Sequence, residues 1–290
     1  MVGNKISWAP VLALLLVAGM VGNTRAGNIA VYWGQNGDEG SLAEACNSGN
    51  YAYVIIAFLS TFGNGQPPQL NLAGHSTDGV NDDIKGCQGQ GIKVLLSLGG
   101  GSGGYGLSSS DDANNLANYL WDNFLGGTGS STRPLGDAVL DGIDLDIETG
   151  NPAHYDELAS ALKAKGGVML TAAPQCPHPD ASVGPALQAV PFDVVWVQFY
   201  NNPPCQYANG DDSSLVNAWR TWTSSVSAGS FYLGLPAATD AAGSGFIPAG
   251  DLTGKVIPDI SSIGNYGGIM LWSRFYDARD NYSGQVKGGV

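Results

Sequence analysis

The chain has 290 residues, 43% hydrophobic and only 13% charged, with 25 Asp and Glu against 12 Lys and Arg. This balance excludes a disordered, collagen-like or coiled-coil protein, and a formal net charge of −13 repels the phosphates of nucleic acid and the anionic face of a membrane. The 43 glycines and 15 prolines require many short loops around an apolar core, which fits a single domain of roughly 250 to 270 residues.

At the N-terminus Lys5 precedes an apolar run from Val11 to Val21, and Thr24-Arg25-Ala26 places small residues at a cleavage position and two before it. Residues 1–26 are therefore expected to be a secretory signal peptide and 27–290 the working domain. The apolar run is too short to span a bilayer, and no later stretch approaches the length of about 18 apolar residues that spanning needs. Losing Lys5 and Arg25 would make the mature chain more acidic still.

Short runs rich in Val, Ile, Leu and aromatics then recur, each followed by a Gly, Asn or Pro loop. They are Ile29–Trp33, Tyr53–Leu59, Lys93–Leu98, Gly142–Ile147, Val168–Ala172, Val194–Tyr200, Phe231–Leu235 and Gly268–Trp272. Between them a helix is expected from Ser110-Asp111-Asp112 through Trp121, with oxygen-bearing side chains at its start to accept orphan N–H groups. Another is expected from Asn151-Pro152 to Gly166-Gly167, with proline in its first turn. Strands alternating with helices at about 33 residues per unit, eight times over, describe an α/β fold of the (β/α)8 TIM-barrel type. An open doubly wound sheet is the alternative. In a barrel the chemistry should lie where the strands end in loops.

Secretion makes Cys46, Cys87, Cys176 and Cys205 candidates for two disulfides rather than thiols or metal ligands. Three pairings are possible, and the spacing favours the local ones, Cys46 with Cys87 and Cys176 with Cys205. Asn281-Tyr282-Ser283 is a formal N-glycosylation acceptor.

The most informative stretch is Asp141-Gly142-Ile143-Asp144-Leu145-Asp146-Ile147-Glu148. Side chains alternate faces along a strand, so Asp144, Asp146 and Glu148 point one way, about 6 to 7 Å apart along the backbone. Like charges buried together cannot all ionise cheaply, so at least one proton should be retained and shared. A calcium site fits poorly, because that ion needs about six to eight oxygens from a flexible loop. Acid/base work on a glycosidic bond fits better.

This pattern resembles the signature of family 18 glycoside hydrolases, and Ser97-Leu98-Gly99-Gly100 matches that family's second motif. Tyr32-Trp33-Gly34-Gln35-Asn36, Asn71-Leu72-Ala73-Gly74-His75, Gln198 through Cys205 and Met270-Leu271-Trp272-Ser273 sharpen the resemblance to plant class III chitinases of the hevamine type. The resemblance implies a secreted endochitinase, extracellular or vacuolar, with a role in plant defence. It would need no metal or cofactor and would cleave β-1,4-linked N-acetylglucosamine polymers with retention by substrate assistance. It implies Glu148 as general acid, Asp146 as support for the sugar's acetamido N–H, Asp144 as a proton partner of Asp146, and Tyr200 as a donor from the sixth strand. Trp272 would floor the site, while Gln198, Gln35, Tyr32 and Asn71 would bond sugar hydroxyls or acetamides. The Ala57-Phe58 and Trp272-Ser273 bonds are expected to be cis. Chitin or its oligosaccharides would be the partner of a monomer, with no nucleic acid and no membrane, and lysozyme-like side activity fits the family. A non-catalytic carbohydrate-binding, storage or inhibitor relative of the same fold is the alternative.

The chain departs from the family in having four cysteines rather than six. Ser76 stands where relatives carry cysteine, so one small loop closure after the second strand is lost. Gly100-Gly101-Ser102-Gly103-Gly104 formally fits a nucleophile elbow and Gly101 through Gly106 a dinucleotide loop, yet neither has its supporting context. Three scattered histidines, His75, His154 and His178, argue against zinc.

Overall fold

A computed structural model describes residues 28–290 together with Met1 and Gly3. The predicted signal peptide otherwise lies outside the described residues. Eight parallel strands form the fold: β1 Asn28–Trp33, β2 Tyr53–Gly63, β3 Lys93–Gly100, β4 Gly142–Ile147, β5 Met169–Ala172, β6 Phe192–Gln198, β7 Ala228–Pro236 and β8 Tyr266–Trp272. β1 pairs with β2 on one side, Val31 opposite Val54, and with β8 on the other, Val31 opposite Leu271. The sheet thus closes on itself, which settles for the barrel over the open sheet.

Alternation along each strand divides the core in two. Ile143, Leu145 and Ile147 face the outer layer under the helices. Inside the barrel lie Ala30, Ile55, Leu95, Val194, Trp196, Tyr232 and Met270. Trp196 meets Tyr232 edge-on at 4.9 Å between ring centroids and Tyr53 at 5.3 Å, so a plug of aromatic rings fills the barrel beneath its mouth. Tight packing of this kind gives anything resting on it a fixed position.

Three expectations need correction. β6 ends at Gln198, so Tyr200 sits in the turn beyond the strand. The helix after β4 is Tyr155–Lys165 and does not begin at Asn151-Pro152, because Asn151 Oδ1 accepts from Ala153 N–H at 3.1 Å and closes a local turn there. Beyond Leu59 the second strand runs on to Gly63 and folds back antiparallel as Gln66–Leu70, whose paired prolines mute the strand signal. The helix Ser110–Phe124 is present, capped by Ser109 Oγ accepting from Asp112 N–H at 3.1 Å.

Both local disulfides are formed, Cys46 with Cys87 and Cys176 with Cys205. The loop that lacks the family's third bridge is pinned instead by His75. Its ring lies 4.6 Å from that of Trp33, and its Nε2 is 2.8 Å from Asn36 O and 3.3 Å from Glu39 Oε1. The Ala57-Phe58 and Trp272-Ser273 bonds are cis, as is His178-Pro179.

Candidate active site

β4 delivers the acids to the mouth of the barrel. Asp144 is fully buried and rests on the aromatic plug. Trp196 Nε1 donates to its Oδ1 at 2.9 Å and Thr171 Oγ1 to the same oxygen at 2.6 Å. Ser97 Oγ and Tyr32 Oη donate to its Oδ2 at 2.6 and 2.8 Å. Four strands, β1, β3, β5 and β6, thus each send one donor to a single carboxylate. Burial pushes the Asp144 carboxyl up, while these four bonds pull it down. Burial wins, so the Asp144 carboxyl lies above its ordinary value, though less so than that of its neighbour.

That neighbour, Asp146, is buried and accepts from Gln198 Nε2 at 3.0 Å on Oδ1. The same amide nitrogen reaches Glu148 Oε1 at 3.2 Å and Ala173 O at 2.9 Å. Burial first, then the charges of Glu148 and Asp144, hold the Asp146 carboxyl well above the ordinary carboxylate range. Asp146 therefore keeps its proton under conditions in which an exposed aspartate has lost it. Close approach of β3 makes the arrangement possible: a Cβ on Gly99, at φ +107°, would lie 2.3 Å from Asp146 O. Ser97-Leu98-Gly99 thus supplies one donor to Asp144 and one bare position beside Asp146.

Glu148, one residue past the end of β4, is half-buried and opens onto a cavity of about 200 Å³. Asp146, Gln198, Tyr200, Trp272 and Phe58 also line it. The rings of Trp272 and Phe58 are nearly parallel, 19° apart at 6.1 Å, and make its apolar side. Burial above all raises the Tyr200 phenol well above its ordinary range, so it stays a donor. A flat apolar wall beside convergent acids and amides suits a sugar ring, whose faces are C–H and whose edge is hydroxyl.

Four residues expected to touch sugar have more specific placements. Tyr32 lies beneath the acids, bonded to Asp144 and 5.7 Å from the Trp272 ring. Gln35 does not line the cavity, and its Nε2 donates to Gly34 O, Ala57 O and Asn71 O at 3.0, 2.8 and 2.9 Å, which ties the β1 loop to the β2 end. Asn71 is exposed on that rim, with Oδ1 accepting from Ala73 N–H at 3.0 Å. Gln198 faces the cavity with its amide nitrogen already shared by the two acids. Thr171, Trp196, Phe58, Gln175 and Asn202 were not foreseen as site residues; for Thr171 and Trp196 the signal was their inward parity on β5 and β6. Another cavity, of about 260 Å³, also reaches Glu148 and is bounded by Gln175, Pro179 and Asp180. Among the described residues no cluster of His, Cys, Asp or Glu is placed to hold a metal ion, and no helix is long and apolar enough to cross a membrane.

A barrel whose fourth strand ends in such a graded set of acids defines a class of glycosidase. Residues 28–245 match the model of the glycosyl hydrolases family 18, and the chain belongs to that family. It is 60% identical to an acidic endochitinase of Phaseolus angularis over 92% of this chain and 91% of that one. Among solved structures, the ICChI chitinase of Ipomoea carnea superposes with a TM-score of 0.87 at 49% identity, covering 91% of this chain and 100% of that one. A xylanase and α-amylase inhibitor protein from Scadoxus multiflorus is as similar, at 48% identity and a TM-score of 0.87, covering 91% and 99%.

Proposed function

We propose that the protein is an endochitinase, cleaving β-1,4-linked N-acetylglucosamine polymers with retention and using the substrate's own acetamido group as nucleophile. The observation that carries this reading is the Asp146–Glu148 pair bridged by Gln198 beside the Trp272 wall. Asp146 stands two residues from the acid on the same face of one strand and shares the Gln198 amide with it, so it lies beside the acid and not across the scissile bond, where a two-carboxylate displacement needs its nucleophile.

In the first step Glu148 gives its proton to the glycosidic oxygen as the C1–O bond breaks. The acetamido carbonyl oxygen closes onto C1, forming an oxazolinium ion. Asp146 accepts from the acetamido N–H, and the negative charge left on the Asp146–Glu148 pair offsets the positive charge that develops. Asp146 keeps its own proton and donates it to Glu148 as a hydrogen bond, so Glu148 stays ionised after giving its proton away. Tyr200 donates to the attacking carbonyl and fixes its direction. Glu148, now a base, takes a proton from water as the water attacks C1 from the face the leaving group vacated. Two inversions give net retention. Asp144, below the pair, is the group with which Asp146 exchanges its proton.

The first product released from an N-acetylglucosamine oligomer, followed by NMR before mutarotation, is expected to be the β-anomer. An α product would overturn the mechanism. The similarity to an inhibitor protein motivates the second reading, a non-catalytic relative of the same fold; absence of any product from the oligomer would favour it. Residues 1–26 are proposed as a secretory signal and the mature protein as a secreted monomer acting on an uncharged polysaccharide. Its strongly acidic composition supports this reading, since such a surface has little attraction for nucleic acid or anionic lipid.

A further inference from the structure

We propose that Tyr105 is the positioning residue for the acid, its phenol oxygen holding the Glu148 backbone where no strand does. The β3–β4 ladder ends at Gly100 opposite Ile147, and on the other side the β4–β5 ladder ends at Leu145 opposite Ala172. Glu148 is therefore beyond the pairing on both sides and leads into the irregular segment 149–153. Tyr105 fills the gap. Its hydroxyl accepts from Glu148 N–H and from Thr149 N–H, both at 3.1 Å, and donates to Gly100 O at 2.6 Å. One side-chain oxygen thus joins the ends of β3 and β4 as another ladder residue would, with its bonding capacity fully used.

The ring is itself fixed. Tyr105 belongs to a two-residue strand, Gly104–Tyr105, that pairs with the extension of β2, Tyr105 opposite Phe62. It stacks on the fully buried Phe62 at 5.3 Å and 18° between ring planes, and is itself 8% exposed. The unforeseen length of β2 gains a purpose from this, since it carries the platform that aims the phenol. A carboxylic acid must sit within hydrogen-bond reach of the oxygen it protonates, and small misplacements are costly to rate. Tyr105 lines neither cavity beside Glu148.

This inference rests on the assignment of Glu148 as general acid, and the test separates the two. In Tyr105→Phe the ring and its stack remain while Glu148 N–H, Thr149 N–H and Gly100 O lose their partner. On an N-acetylglucosamine tetramer, whose leaving sugar needs protonation, kcat is expected to fall about tenfold or more with KM changed less than about twofold. On an aryl glycoside of the trimer, whose phenolate leaves without help, the loss should be several times smaller. Equal losses on the two substrates, or an unchanged kcat, would overturn the role of Tyr105. If Tyr105→Phe fails to fold, Phe62→Leu, which loosens the ring but keeps the oxygen, should show the same asymmetry in smaller degree, and a symmetric loss there overturns the role equally. Glu148→Gln is measured in parallel. Wild-type rates in that variant would refute the acid assignment itself, whereas loss there with a normal Tyr105→Phe would refute only the positioning.

Discussion

Gln198 donates to Asp146 Oδ1 at 3.0 Å. A donor on that oxygen leaves the retained proton to the other oxygen of the carboxyl, so the amide of β6 decides which edge of Asp146 can pass a proton on. The acids are thus ordered along β4: Asp144 buried under four donors, Asp146 buried and held well above the ordinary carboxylate range, and Glu148 half-buried at the cavity.

The last of these gives the first prediction. Glu148→Gln keeps shape and removes the proton donor, so kcat on chitin oligomers should fall by about 10²- to 10⁴-fold. Binding, followed by tryptophan fluorescence during titration with oligomer, should stay within a few-fold of the native protein. Turnover near the native rate would sink the assignment.

Asp146 predicts a pH dependence of stability. Its folded carboxyl is raised above the unfolded value of about 3.9, so the folded chain binds the extra proton. The stabilisation is complete below the unfolded value and is lost as pH rises through the folded one. Asp146→Asn cannot ionise and escapes this loss. The melting temperature of the variant minus that of the native protein should therefore grow more positive from about pH 3 to pH 7; a flat or falling difference would contradict the assignment of the proton.

Gly245 tests how closely Tyr200 is held. It has φ +92°, and a Cβ there would lie 2.7 Å from Tyr200 Cα and 2.9 Å from Phe199 O. Gly245→Ala should cost about 1 to 3 kcal/mol of stability and, by displacing Tyr200, lower kcat more than it raises KM. Native kcat in a folded variant would show that Tyr200 tolerates the shift.

The Cys176–Cys205 bridge joins the segment after β5 to the one after β6. Asn202 Nδ2 donates to Gln175 Oε1 at 3.0 Å across the same junction, and Trp222 Nε1 to Cys176 O at 2.9 Å. Replacing both cysteines by alanine should destabilise by about 3 to 4 kcal/mol in the chain-entropy account. Because Gln175 and Asn202 line the cavity, KM should rise as well. Urea titration and steady-state kinetics on the double variant check both outcomes, and an unchanged KM would detach the bridge from the site.

Local chemistry was legible in the sequence because it depends on neighbours along the chain. Alternation put Asp144, Asp146 and Glu148 on one face with Ile143, Leu145 and Ile147 on the other, and eight apolar runs at regular spacing called for the barrel. The reach of side chains between strands was not legible, because closure of the sheet sets it. Nothing along the chain showed that the Gln35 amide nitrogen reaches three backbone carbonyls. Tyr105 looked like part of a glycine-rich loop until the ladders of β4 ended short of the acid and its phenol closed the gap. What the sequence determined by itself was which groups face inward, since two-residue periodicity belongs to the strand. Only the tertiary structure decided which strands supply donors to Asp144 and what holds Glu148, since those contacts join residues from about 30 to more than 100 positions apart, brought together when β1 meets β8.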